Sequence, residues 1–431
     1  MKRDHCGFFI FLTCLLIAPE IPVGALFGSP GRADMSLGLV GLMIWILLSP
    51  RHLINVKRIF YQTPAFGVLL FSFYTLIVSF VSHNIVSIIY AGQYFIYAFL
   101  VFRMVSGYLD KVVRCDQFHI TKNIVLIITI IVTFGIIFSF WSGPIYPQQA
   151  FWTKRKVGNI WVQRAVGFTG NPNAAGAILL MLVPLALSFI YSTVVNKWGY
   201  VVMLLGMIAI LTTLSRSAIL SGVVAFCIVA IICCIRLLFT DRVKVRILRL
   251  ILLLTLTTLL VICVLSFFNL DTTYALGAFG IGTDAGGIGE RIAIWKSWFK
   301  KWKEMGLFYQ LFGAGFRSGA EISIYGTFST PHNSYIEMLL DFGIFGLFLF
   351  IIPLLWTIFH ASGRLIIYKQ VNVELFVLIG LLASTIHNMS ETFFYSPNIL
   401  SLVIIMLTYY CIYSYSHCYT INSSQTNKKK I

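Results

Sequence analysis

Charge is scarce in this sequence. Asp, Glu, Lys and Arg make up 11% of its 431 residues, and only 15 residues are acidic. Soluble domains carry about 25% charged residues, so a water-facing fold is excluded. Metal signatures are missing as well. There is no DxD and no HExxH, and the carboxylates are scattered, so neither a divalent-metal mechanism nor a cofactor is expected. The nine cysteines include no CxxC pair and no Cys/His cluster, and they fall in or near apolar runs and basic segments. A disulfide framework and a zinc site are both unexpected. No internal repeat and no low-complexity linker divides the chain, which leaves one membrane domain with inserted loops rather than several soluble ones.

Hydrophobic residues, by contrast, are 58% of the chain. A spanning helix needs about 20 apolar residues, and such runs recur from end to end. They predict an all-α integral membrane protein of about 12 transmembrane helices. The runs cover residues 7–28, 35–50, 65–83, 85–102, 123–141, 173–195, 199–214, 217–239, 247–270, 335–359, 373–390 and 397–416. The chain then divides into N-terminal membrane helices (1–141), a loop (142–172), central helices (173–270), a large loop (271–334) between the ninth and tenth spans, C-terminal helices (335–416) and a basic tail (417–431). The start, MKRDHCGFFIFLTCLLIA, looks like a signal peptide, but no small-x-small site follows; it reads as a retained first span broken near Pro19 and Pro22.

The net charge of +17 does not point to nucleic acid, because membrane insertion by itself concentrates Lys and Arg in cytoplasmic loops. With both termini inside, 20 of the 32 basic residues face the cytoplasm. Eleven of the remaining twelve gather in three places: the 142–172 loop, the turn at Arg216 and the 271–334 loop. Long loops cross regardless of charge; Arg216 has no loop around it.

Six stretches carry chemistry. In RAVGFTGNPNAAG (164–176), Asn171-Pro172-Asn173 forms a turn with Asn173 as a helix N-cap. Exposed N–H groups there favour an anion, although a plain helix entry explains the same residues. In TLSRSAIL (213–220), Arg216 is costly at membrane depth unless paired or wetted; snorkelling is its ordinary explanation. In ERIAIWKSWFKKWKEMG (290–306), Ile292, Trp295, Trp298, Phe299 and Trp302 recur at helical spacing opposite Lys296, Lys300 and Lys303. That is an interfacial amphipathic helix, and Arg291 ahead of it is a fork of donors suited to phosphate. LFGAGFRSG (311–319) lacks the strand–turn–helix context of a nucleotide loop and reads as a connection that lets backbones approach closely.

In STPHNSYIEMLLDFG (329–343), His332 precedes a span that Asn333 or Ser334 caps. Glu337 and Asp341 stack at i,i+4, placed to orient the imidazole or to pair with Arg216 or Arg291. Carboxylates in a span are functional candidates, whereas a lone histidine at a span entry is commonly just a satisfied loop residue. In IHNMSETFFYSPN (386–398), His387 and Glu391 are secondary candidates that line an acceptor site.

Taken in order, R-A-x-G-x-x-x-N-P-N, T-L-S-R-S, G-E-R-x-x-x-W, F-G-x-G-F and P-H-N-x-Y-x-x-x-L-x-x-x-G-x-x-G, over residues 160–350, resemble the O-antigen ligase and O-antigen polymerase superfamily of bacterial envelopes. The resemblance implies a metal-independent, inverting glycosyltransferase of the inner membrane. Its donor would be a glycan on undecaprenyl diphosphate at the periplasmic face, and its acceptor another glycan or lipid A-core, with a chain-length regulator as a candidate partner. It implies that Arg216 and Arg291 hold the diphosphate and that His332 activates the acceptor hydroxyl. Arg164, Asn171, Asn173, Asn333, Tyr335, Glu337 and Asp341 support them, with Asp341 standing where the family often has Glu. The G-x-x-x-N-P-N form leans to polymerase over ligase.

Elementary chemistry agrees. A leaving diphosphate needs fixed cations, an acceptor hydroxyl needs a base near neutral pH, and a lipid tail needs an apolar entry. Two other classes compete: a transporter of lipid-linked oligosaccharide, which predicts charges and a cavity at the midplane, and an envelope scaffold, which predicts that His332→Ala is tolerated.

Overall fold

A computed structural model describes residues 2–17, 21–22, 34–35, 37–54, 63–114, 117–143, 154–157, 160–169, 171–191, 197–240, 288–318, 323–324, 327–328, 330–367, 372–394 and 396–428. The ninth predicted span, 247–270, and residues 271–287 of the large loop lie outside the described residues. In chain order the elements are α1 (Lys2–Leu16), β1 (Ile21–Pro22), β2 (Asp34–Met35), α2 (Leu37–Leu48), α3 (Arg51–Ile54), α4 (Pro64–Val81), α5 (Ile85–Arg114) and α6 (Phe118–Ser142). Then come β3 (Lys154–Val157), β4 (Ile160–Gln163), α7 (Pro172–Tyr191), α8 (Lys197–Thr212) and α9 (Arg216–Thr240). The rest are α10 (Ile288–Glu304), α11 (Leu307–Phe312), β5 (Ser323–Ile324), β6 (Thr327–Phe328), α12 (Ser334–Ile367), α13 (Asn372–His387) and α14 (Pro397–Lys428). The strands form three antiparallel two-stranded ribbons, β1–β2, β3–β4 and β5–β6.

Among the described residues, seven helices (α4, α5, α6, α7, α9, α12 and α14) are long and apolar enough to cross a membrane, and α2, α8 and α13 are shorter apolar helices. The first predicted span is interrupted near Pro19 and Pro22, as expected. Its helix starts at Lys2 and stops at Leu16, and Ile21–Pro22 pairs with Asp34–Met35 instead of continuing it. Two prolines in four residues deny the helix its donors at that point.

Proline opens α4, α7 and α14, where a missing N–H costs nothing and φ is already helical. The axis of the bundle is α7: 89% of its span is buried, and it packs on α6, α8, α9, α13 and α14. The outer helices leave Phe73, Phe80, Phe134, Phe138 and Phe359 exposed, as a lipid-facing surface requires. The α4–α5 pair is a hairpin. His83 turns it at φ 53°, and Asn84 Oδ1 accepts the Val86 and Ser87 amides at 3.0 and 3.3 Å to cap α5.

Two features at opposite ends of the bundle matter below. Gly343 breaks α12 at φ 66°. A Cβ there would lie 2.3 Å from the Leu311 carbonyl oxygen, and one on Gly313 would lie 2.3 Å from that of Asp341. The two bare backbones meet, and the Gly315 amide reaches the Asp341 carbonyl at 2.9 Å. At the far end, Asp4 accepts Lys111 Nζ at 2.7 Å and His52 Nε2 at 3.1 Å. Beside it His5 lies 2.8 Å from both the Tyr108 hydroxyl and Gln117 Oε1. Arg364 and Glu374, both buried, pair at 2.8 Å where α12 turns into α13.

Candidate functional site

The site grows from the entry to α12. Asn333 Oδ1 accepts the Tyr335 and Ile336 amides at 3.0 and 3.1 Å, the N-cap arrangement. Its Nδ2 donates to the Met389 carbonyl at 2.8 Å. Ser334 donates its amide to the Asn388 carbonyl at 2.9 Å and its hydroxyl to Asn388 Oδ1 at 2.8 Å. Tyr335 ties the same turn of helix to the Thr385 carbonyl at 2.8 Å. The start of α12 is thus fastened to the segment after α13.

His332 stands just outside this fastening. Its backbone has φ 45°, a left-handed geometry uncommon for a residue with a side chain. Trp295 of α10 donates to the Pro331 carbonyl at 2.8 Å and holds the turn from the other side. The imidazole is 44% exposed, and its Nδ1 lies 3.5 Å from Glu391 Oε2, at the long end of hydrogen-bond range.

Glu391 is the hub. Its side chain is 6% exposed. Oε1 takes Asn173 Nδ2 at 2.8 Å and Arg291 Nη2 at 3.1 Å, while Arg291 Nη1 donates to the Ser390 carbonyl. Asn173 Oδ1 in turn accepts Arg164 Nη2 at 3.1 Å, and Arg164 Nε reaches the Thr213 carbonyl. Burial alone would raise the Glu391 carboxyl. Contact with His332 and the charges of Arg291, His332 and His387 outweigh it and hold the pKa below the ordinary value. Burial lowers Arg164 to about 10, an effect that Glu391 opposes; the guanidinium stays charged.

His387, fully buried, links three helix ends. Its Nε2 donates to the Asn173 carbonyl at 3.3 Å, and it meets the backbone of Ser217. Arg216 is therefore next to a residue that touches the cluster. It opens α9 after a turn at Leu214 with φ 48° and is exposed. Asn171 accepts the Asn173 amide at 2.8 Å.

Two further carboxylates lie on α12. Asp341 is fully buried and accepts the Arg317 amide at 2.8 Å and the Ser318 hydroxyl at 2.9 Å. It holds the Gly-rich loop, with Arg317 lying 4.7 Å over the Tyr90 ring. Glu337 is half-buried one turn into α12. The carboxylate beside His332 and Arg291 is Glu391, read from the sequence as a secondary candidate. Its one signal was to be an acidic residue in a polar break between two spans. The α10 stripe also differs: Ile294 and Trp298 are the buried pair, packed on Ile336 and Leu340, while Ile292 and Phe299 are about 40% exposed. Trp295 and Trp302, partly buried, pack against the same cluster.

Among the described residues no group of three His, Cys, Asp or Glu side chains converges as metal ligands would. The cations of the site are guanidiniums. Compared with known proteins, residues 200–351 match the family model described as O-antigen ligase. No curated protein matches the chain. The match bears out the resemblance to the O-antigen ligase and polymerase superfamily over a stretch that holds Arg216, Arg291, His332 and Asp341. Arg164, Asn173, His387 and Glu391 lie beyond its two ends and are joined to it by the fold.

Proposed function

From a chain similar to the O-antigen ligases through its central stretch, we propose a membrane glycosyltransferase that acts at the periplasmic face of the bacterial inner membrane. It moves a glycan from undecaprenyl diphosphate to an acceptor sugar hydroxyl. The observation that carries this reading is the convergence on Glu391 of a guanidinium, an imidazole and an amide at one end of an apolar bundle.

In the proposed step the acceptor oxygen attacks the anomeric carbon of the donor and inverts it. The bond from that carbon to the diphosphate oxygen breaks, and the lipid diphosphate leaves with the bonding pair. The acceptor proton passes to the part-exposed imidazole of His332, whose Nδ1 turns to Glu391. Arg291, with Arg216 at the neighbouring helix start, meets the charge that grows on the leaving group. Glu391 is a positioning residue: it holds Arg291 and His332 in one frame, and Asn173 and Arg164 hold Glu391. No metal is required in this scheme.

The acceptor we favour is a second lipid-linked repeat unit, which makes the protein a polymerase. A ligase transferring to lipid A-core is the second reading, favoured by the description of the family model. A transporter is less well supported, since the cluster sits at helix ends and not at mid-span. The deciding experiment incubates purified protein with a lipid-linked repeat unit, with and without a lipid A-core acceptor, and resolves the products by gel and mass spectrometry. A ladder on the carrier lipid, lost in His332→Ala, is expected. Glycan appearing on lipid A-core alone supports the ligase. Wild-type turnover in His332→Ala overturns the role of the imidazole.

A further inference from the structure

Beside the Glu391 cluster lies a cavity of about 220 Å³ between the entries to α7 and α14. Phe168 and Phe393 give it two aromatic walls, and Thr169, Asn171, Ser396 and Asn398 give it neutral polar groups. Among the described residues, no charged side chain lines it. Covering its polar groups without a hydrogen bond costs free energy.

The lining selects the ligand. A phosphate or a uronate would need a cation, and none faces the cavity. A lipid tail would cover Thr169, Asn171, Ser396 and Asn398 and return no hydrogen bond to them. One sugar ring presents apolar C–H faces to aromatic walls and hydroxyl donors to amide oxygens, and the volume is below that of pockets holding larger ligands. Water fills such a polar cavity at rest, and hydroxyls displace it with hydrogen bonds of the same kind.

Two of its walls touch the Glu391 cluster. Phe393 stacks on His387 with centroids 5.8 Å apart, and Asn171 holds the amide of Asn173, which holds Glu391. We propose that this cavity is a subsite for one uncharged sugar residue of the glycan, adjacent to the residue that reacts. The inference rests on the glycosyl-transfer reading above but is tested by binding, without turnover.

Purified protein in nanodiscs is titrated with the methyl glycosides of a neutral hexose, an N-acetylhexosamine and glucuronic acid, followed by saturation-transfer NMR. A neutral glycoside is expected to receive saturation and the uronate to receive none. Asn398→Leu, which replaces an amide of the lining by an apolar side chain of similar volume, is expected to weaken binding about three- to tenfold. Ala174→Phe, which fills the cavity, is expected to abolish it, with thermal stability measured beside each variant. His332→Ala is expected to bind as wild type, so a failure of the chemistry does not mimic a failure of the subsite. Absence of saturation from all neutral glycosides, equal saturation of the uronate, or full binding by a folded Ala174→Phe overturns the proposal.

Discussion

Replacing Glu391 by glutamine separates the charge of the hub from its shape. The side chain is nearly isosteric and keeps one carbonyl oxygen for Asn173 or Arg291. It loses the negative charge that meets Arg291 at 3.1 Å and His332 at 3.5 Å. A hydrogen bond to a charged partner contributes about 1.5–3 kcal/mol against about 0.5–1.5 for a neutral one. Two such contacts weaken by roughly 1 kcal/mol each, and the partial exposure of Arg291 and His332 reduces the total to about 1–2 kcal/mol. The variant should therefore fold. Its kcat should fall about 100-fold, the cost of an error of about 1 Å in a positioned group.

The assay is turnover of the lipid-linked donor by purified protein, as the single variants and with His332→Ala. If Glu391 acts through the imidazole, the double variant is no slower than His332→Ala alone. The pH dependence gives a second readout. The folded pKa of Glu391 lies below the ordinary 4.5, so its contribution is complete above that value and is lost as pH falls through the lowered one. Thermal stability of the wild type should drop in that acid window, and the drop should be smaller in Glu391→Gln. Wild-type turnover together with an unchanged acid limb would refute the reasoning.

Other outcomes follow from the same geometry. Arg291→Lys keeps the charge but cannot reach both the Ser390 carbonyl and Glu391, and should lower kcat/KM about 10–100-fold. Gly343→Ala forces a side chain onto the Leu311 carbonyl at positive φ and should destabilise by at least about 2 kcal/mol in thermal melts. Arg364→Ala strands a fully buried Glu374 and should cost about 3–5 kcal/mol. Because that pair lies at the end of α12 far from His332, the specific activity of surviving protein should be unchanged.

The apolar runs made most of the bundle legible, because a bilayer demands long helices and little else. The order of the motifs marked His332 and Arg291, and the cap at Asn333 follows from residue type. The carboxylate beside the imidazole was legible only as a secondary candidate. Periodicity favoured Asp341 because it shares a helix face with Glu337, yet its carboxylate accepts the Arg317 amide of the Gly-rich loop. Glu391 belongs to another helix connection, and nothing local says that it folds back under Asn173. Spacing along one helix reports a shared face; it does not report which distant turn meets that face.

The far end of the bundle constrains how the chain is made. Asp4 finds Lys111, and His5 finds Tyr108 and Gln117, across sequence separations of 107, 103 and 112 residues. At synthesis rates of about 5–20 residues per second, Asp4 and His5 wait roughly 5–20 s for these partners. During that interval an acid and an imidazole cannot enter the core without large cost, so α1 must be held with its start at the aqueous boundary until α5 and α6 emerge. The helix α1 is thus locked only once α5 and the start of α6 are in place, and the latch that closes on it reports that these three helices have assembled.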